Sequence, residues 1–317
     1  VSIPAVFALF GLASSLLPVL VVIGVGVDLA RGDRRLNLAR LFVFLPVYCA
    51  AEVVGLTVLA LSWLRDRGDP ERFARTTYRV QGAWTQFLLG AIRRIFSLRF
   101  TVRDAERFRP GPAIVLVTHA SIVDTLLPTA LLSIPLGMKL RFVLKEELLV
   151  IPCLDVAGHR VPNCFVSRSG QNTAEEVGRV RALAADLGVD DAVLLYPEGT
   201  RFTPKKLARA LEKLERSAPE RRARLAGART VLPIQPGGVL GVFEAAPEAD
   251  LVIVSHAGLH GTAELSDIAK NGLAGRDVTV FVDRFARADL PRESGALLAW
   301  LDARWLEIDE RLVRSTP

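Results

Sequence analysis

Two long apolar runs dominate the first 64 residues. Residues 1–27 carry no charged side chain. After a polar link from Asp28 to Arg40, a second run from Leu41 to Leu64 is interrupted by Glu52 alone. Apolar stretches of 18 or more residues with few or no charges predict membrane-spanning helices. At 1.5 Å per residue the second run reaches about 36 Å, enough to cross the hydrocarbon layer. The pattern therefore predicts two membrane-embedded helices, over about 2–28 and 41–64, in a helical region covering residues 1–80. Pro18 and Pro46 are candidate kinks. A cleaved signal peptide would call for a basic leading segment and an Ala-x-Ala-like exit, and the first run has neither.

The periodicity then changes. Gly82 to Phe100 sets Trp84, Phe87, Leu88, Ile92, Ile95 and Phe96 against Arg93 and Arg94. This suits an amphipathic helix at a membrane interface, and equally an ordinary helix packed on a domain. From residue 98 onward, short runs rich in β-branched residues alternate with helical spacing. Strands are predicted over 98–103, 113–118, 139–144, 163–167, 192–196, 230–234, 250–255 and 277–283. Helices are predicted over 121–133, 172–187, 204–217 and 293–313. Such alternation implies an α/β fold over residues 81–317, with a mostly parallel sheet flanked by helices.

Composition narrows the partners. Half of the 317 residues are hydrophobic and mean hydropathy is +0.32, while the net charge is +6 with Arg scattered rather than blocked. A basic, hydrophobic chain fits a lipid bilayer or an anionic substrate better than nucleic acid, for which no binding motif is present. Cys49, Cys153 and Cys164 are isolated in apolar surroundings, and the four histidines have no metal-ligand spacing, so neither a disulfide set nor a metal site is expected. The charge flanking the second apolar run is two net positive on each side, so it does not choose an orientation.

Candidate chemistry collects where predicted strands end, which is where ligands bind in open α/β sheets. After Ala113–Val117 comes Thr118-His119-Ala120-Ser121-Ile122-Val123-Asp124. Residues five apart on a straight helix diverge by about 140°. A His on the turn and an Asp in the following helical turn can nevertheless meet. The carboxylate then fixes one imidazole nitrogen and leaves the other as a general base. A helix-capping Asp beside an unrelated His is the plainer alternative. A second strand end carries Tyr196-Pro197-Glu198-Gly199-Thr200-Arg201, where Gly199 permits positive φ and Arg201 offers a planar fork for phosphate. A turn with an exposed ion pair would give the same pattern. Two further strand ends are Phe165-Val166-Ser167-Arg168 and Val231-Leu232-Pro233.

These four stretches, in this order, resemble the glycerolipid acyltransferases of the lysophosphatidate acyltransferase (PlsC-like) type. His119 and Asp124 match the family's His-x4-Asp, Phe165 to Arg168 its second motif, Pro197 to Arg201 its third residue for residue, and Pro233 its fourth. The extension Phe202-Thr203-Pro204-Lys205-Lys206 is similar to the lysocardiolipin-type branch. The sequence departs from the family at Thr118, where Asn is usual, and at Pro162, where Gly often stands. The resemblance covers about residues 95–285.

It implies that His119 acts as base and Asp124 orients it. Acyl-CoA or acyl carrier protein would be the donor and lysophosphatidate or another lysophospholipid or glycolipid the acceptor, with no cofactor. Arg168 and Arg201 would hold the acceptor's phosphate. Glu198, Gly199 and Thr200 would complete its site, Glu198 either positioning glycerol hydroxyls or bracing Arg201. An integral membrane protein with its catalytic domain on the cytoplasmic face is expected. The absence of a Gly-x-Ser-x-Gly elbow fits direct transfer without an acyl-enzyme. A non-catalytic, membrane-anchored lipid-binding protein and a lipid phosphohydrolase are the competing classes.

Overall fold

The computed structural model describes residues 3–167 and 173–315. Three long helices lead the chain: α1 (Ile3–Ala30), α2 (Asn37–Asp66) and α3 (Pro70–Ile95). Helix α3 begins at Asp69, whose side chain accepts from the Arg72 N–H, followed by Pro70 in the first turn, where its missing N–H costs nothing. The boundary expected near residue 80 falls inside this helix. Both α1 and α2 run without a break through Pro18 and Pro46 and are long and apolar enough to cross a membrane.

The hairpin between them is close-fitting. A Cβ on Gly24 would stand 2.8 Å from the Ala39 Cα, so the two backbones meet at a distance only glycine allows. Asp28, fully buried, closes the α2 N-terminus by accepting from Leu38 N and Ala39 N. Helix α2 buries one face against the rest of the chain, whereas α1 leaves Phe7, Leu12, Leu16, Val19 and Val22 exposed. An apolar surface of this extent is rare on a soluble monomer and fits a lipid surround.

After them follow β1 (Arg99–Arg103), β2 (Ala113–Val117), α4 (Ile134–Leu136), β3 (Lys139–Lys145), α5 (Pro152–Gly158), β4 (Cys164–Val166), α6 (Thr173–Ala184) and β5 (Asp191–Leu195). The chain continues with α7 (Pro204–Ser217), α8 (Pro219–Arg224), α9 (Pro236–Ala245), β6 (Asp250–Ala257), α10 (Leu265–Asn271), β7 (Asp277–Phe285) and α11 (Ser294–Ser315). The strands form one sheet in the order β1-β7-β6-β2-β5-β3-β4, parallel throughout except for the β6–β7 pair. Strand β2 lies between β5 and β6, with Val115 opposite Leu194 on one side and Val252 on the other. All five of its residues are buried. Ala113, Val115 and Val117 pack with Leu88, Ile92 and Phe96 of the α3 region, and Ile114 and Leu116 with α6, α9 and α11 on the opposite face. The result is a sheet covered on both sides, as the alternation of elements implied.

Two expectations need correction. Residues 121–133 form no regular α-helix: a 3-10 turn (Val123–Leu126) and a π turn (Thr129–Ser133) precede α4. Residues 230–234 open on a bend, continue as an irregular stretch and join no ladder. Both sides of β2 are already occupied by β5 and β6, and the N–H groups of Thr230 and Val231 go to the Asp309 carboxylate instead.

Candidate active site

His119 leaves the end of β2 on the face set by Val115 and Val117, because successive strand residues alternate. The chain then turns sharply. Asp124, in the 3-10 turn, reaches back so that its Oδ1 lies 2.9 Å from His119 Nδ1. Its Oδ2 accepts from Ala120 N and Ser121 N, each at 2.7 Å. A carboxylate can only accept, so Nδ1 carries the hydrogen and Nε2 is the nitrogen left for a substrate. The irregular turn is what makes five-residue spacing into a contact. Asp124 is fully buried, and burial alone would raise its pKa. The His119 charge and hydrogen bond, with a further bond from His256, outweigh that and hold the carboxyl well below the usual range.

The strand end after β5 lies alongside. The Tyr196 ring packs on His119 with centroids 4.4 Å apart, and Phe202 N donates to His119 O at 2.6 Å. Burial first, then the Asp124 charge, pushes the Tyr196 phenol well above its ordinary value. Gly199 has φ +70° in the turn, the left-handed conformation its sequence position suggested. Glu198 is 2 % exposed and does not line the cleft. Its Oε1 accepts from His119 N at 3.2 Å and its Oε2 from Leu232 N at 3.0 Å. Burial, opposed by these two donors, raises its carboxyl well above the ordinary range.

His119, Gly199, Thr200 and Arg201 line one cleft of about 1020 Å³, together with Lys145 and Lys206. Arg201 is oriented by donating from Nη1 to Ala263 O, and Lys206 Nζ donates to Thr200 Oγ1 at 2.9 Å and to Arg201 O at 3.0 Å. From this polar end the cleft continues to Leu59, Trp84, Cys153 and Leu154, where α2, α3 and α5 meet. Carboxylates of Glu147, Glu176, Glu264 and Asp267 line the cleft along with these cations, and charged and apolar walls together suit an amphiphile. Of the residues expected at the site, the structure gathers His119, Asp124, Gly199, Thr200 and Arg201 around the cleft and puts Glu198 behind it. Arg168 lies outside the described residues.

Sequence reasoning overlooked Lys206, Tyr196 as a ring partner, and above all His256, whose Nε2 is 3.2 Å from Asp124 Oδ2. One signal was available: His256 follows the apolar run Leu251-Val252-Ile253-Val254 by two positions, on the same alternating face as Val252 and Val254.

A family model described as Acyltransferase matches residues 99–257, half of the chain and the whole stretch from β1 to β6. Lysocardiolipin acyltransferase 1 of Danio rerio is 22% identical over 252 residues, covering 78% of this chain, which spans 63% of that relative's length. The crystal structure of the 1-acyl-sn-glycerophosphate (LPA) acyltransferase PlsC from Thermotoga maritima superposes with a TM-score of 0.53 at 16% identity, covering 86% of this chain and 95% of that one. A braced imidazole at a strand end, a cleft joining charged and apolar walls, and a family match running from β1 through the end of β6 agree, and the chain belongs to the acyltransferase family.

Proposed function

We propose that the protein transfers a fatty acyl group from acyl-CoA or acyl carrier protein to the free hydroxyl of lysophosphatidate, giving phosphatidate at the membrane. The observation that carries this reading is the 2.9 Å contact between His119 Nδ1 and Asp124 Oδ1 at the wall of an amphiphile-sized cleft. His119 Nε2 takes the proton from the acceptor hydroxyl as its oxygen attacks the thioester carbonyl. Asp124 stabilises the imidazolium without taking the proton, in keeping with the donors that hold its carboxyl below the usual range. The tetrahedral intermediate then collapses, the C–S bond breaks, and the imidazolium returns its proton to the departing thiolate.

Arg201 and Lys206 offer charge-assisted hydrogen bonds to the acceptor's phosphate, and Arg168 is assigned to the same anion from its motif. The apolar arm toward Leu59 and Trp84 receives acyl chain. Helices α1 and α2 hold the domain at the bilayer, where both lysolipid and product reside, with the catalytic domain on the cytoplasmic face.

A second reading keeps the chemistry and changes the acceptor to another lysophospholipid, as the name of the Danio rerio relative suggests. Purified protein, labelled acyl-CoA and a panel of lysolipids separate the two. Labelled phosphatidate is the expected product. Acylation of a different lysolipid with lysophosphatidate left untouched would overturn the first assignment in favour of the second. His119→Ala is expected to lower kcat by ~10² or more, whereas a binding protein without turnover would show no rate to lose.

A further inference from the structure

His256 is 0% exposed, and its Nδ1 has no hydrogen-bond partner among the described residues. On β6 it shares a face with Val252 and Val254, both buried and apolar. An apolar side chain there would avoid the desolvation that an imidazole suffers. The ring makes one polar contact, from Nε2 to Asp124 Oδ2 at 3.2 Å, and because the carboxylate only accepts, Nε2 is the donor.

The origin of the donors matters. Ala120 N and Ser121 N, which also bind Oδ2, belong to the same turn as His119 and Asp124 and move with it. His256 comes from a neighbouring strand, 132 residues away, fixed by its pairing with β2 and β7. It is thus the donor that ties the carboxylate to the sheet.

We propose that His256 is a positioning residue for the base: by donating to Asp124 Oδ2 it fixes the carboxylate plane, so that Oδ1 stays on His119 Nδ1. The proposal rests on the reading of His119 as general base. It also moderates that base. A carboxylate sharing its charge with a fourth donor attracts the imidazolium proton less strongly. The other ionisable groups facing the pair are Tyr196, Glu198, Arg201 and His260, and none of them bonds an Asp124 carboxylate oxygen.

The test compares His256→Leu, which keeps bulk and removes the donor, with His256→Gln, whose amide nitrogen can replace Nε2. The full chain in lipid–detergent micelles is assayed with oleoyl-CoA and oleoyl-lysophosphatidate. His256→Leu should lower kcat about tenfold, the scale of one hydrogen bond to a charged group, with KM for both substrates little changed. The acidic limb of the kcat/KM pH profile should move with the lost donor, a readout that packing alone would leave in place. His256→Gln should recover most of the rate and return the limb. Should the Leu variant not fold, His256→Asn, whose shorter amide stops short of Asp124, takes its place against Gln.

Wild-type kinetics in the variant lacking the donor would overturn the proposal, as would an equal loss in Leu and Gln variants with the limb unmoved, which is the mark of packing alone. His119→Ala run in parallel keeps the two readings apart. If it retains the wild-type rate, the base assignment falls; if it is inactive while His256→Leu matches wild type, only the role of His256 falls.

Discussion

Glu198, just past β5, joins the end of β2 to the irregular segment around Leu232, and both of its oxygens are occupied by backbone N–H groups. Glutamine keeps one acceptor and turns an NH2 toward the other donor. Glu198→Gln should therefore cost ~1–3 kcal/mol of stability, the range for a buried group left unsatisfied, and lower kcat because the His119 backbone loses its brace. Thermal unfolding and steady-state kinetics of the same preparation check both, and an unchanged melting temperature would remove the brace from the account. The sequence made the Pro197–Arg201 stretch legible because its parts are contiguous. It did not reveal what Glu198 holds, because its partners His119 and Leu232 lie 79 and 34 positions away. His256 was hidden for the same reason, since no local pattern encodes a bond across two strands. Asp124 was readable because a five-residue return needs only one tight turn.

Elements were legible where one local rule governed them. Helix α7 starts where Thr203 and Pro204 supply a cap and a first turn, and it ends at Ser217 as the spacing predicted. Strand β2 declared itself by an unbroken apolar run. The segment 121–133 was misjudged because its helical composition is overruled where Asp124 folds back in a 3-10 turn, with a π turn following. Residues 230–234 have strand-like composition, but no sheet edge is open to them beside β2. At this scale the α1–α2 hairpin offers a clear test. Gly24→Val places a side chain where a Cβ already stands 2.8 Å from the Ala39 Cα. The helices must then part, and overpacking of this kind costs ~1–3 kcal/mol. A lower melting temperature in detergent is expected, with KM for the water-soluble thioester unchanged because Gly24 does not line the cleft.

Over the whole molecule, the bonds that hold His119 in place extend well beyond the cleft. Asp309, fully buried on α11, accepts from Arg229 N, Thr230 N, Thr230 Oγ1 and Val231 N. The next residue, Leu232, donates to Glu198, which in turn accepts from His119 N. Asp309→Ala leaves several of these donors without an acceptor and should cost more than about 2 kcal/mol. It should also lower kcat, although Asp309 does not line the cleft. Denaturant melts and the acyl-transfer assay read the two effects, and a variant that loses stability without losing rate would show that the relay stops short of His119. A premature stop at residue 305 would spare the entire family-matched region and every wall of the cleft, yet it would remove the carboxylate from which the sequence of bonds to the imidazole backbone begins. Such a product would look intact to any comparison confined to its signature stretches while His119 had lost its footing.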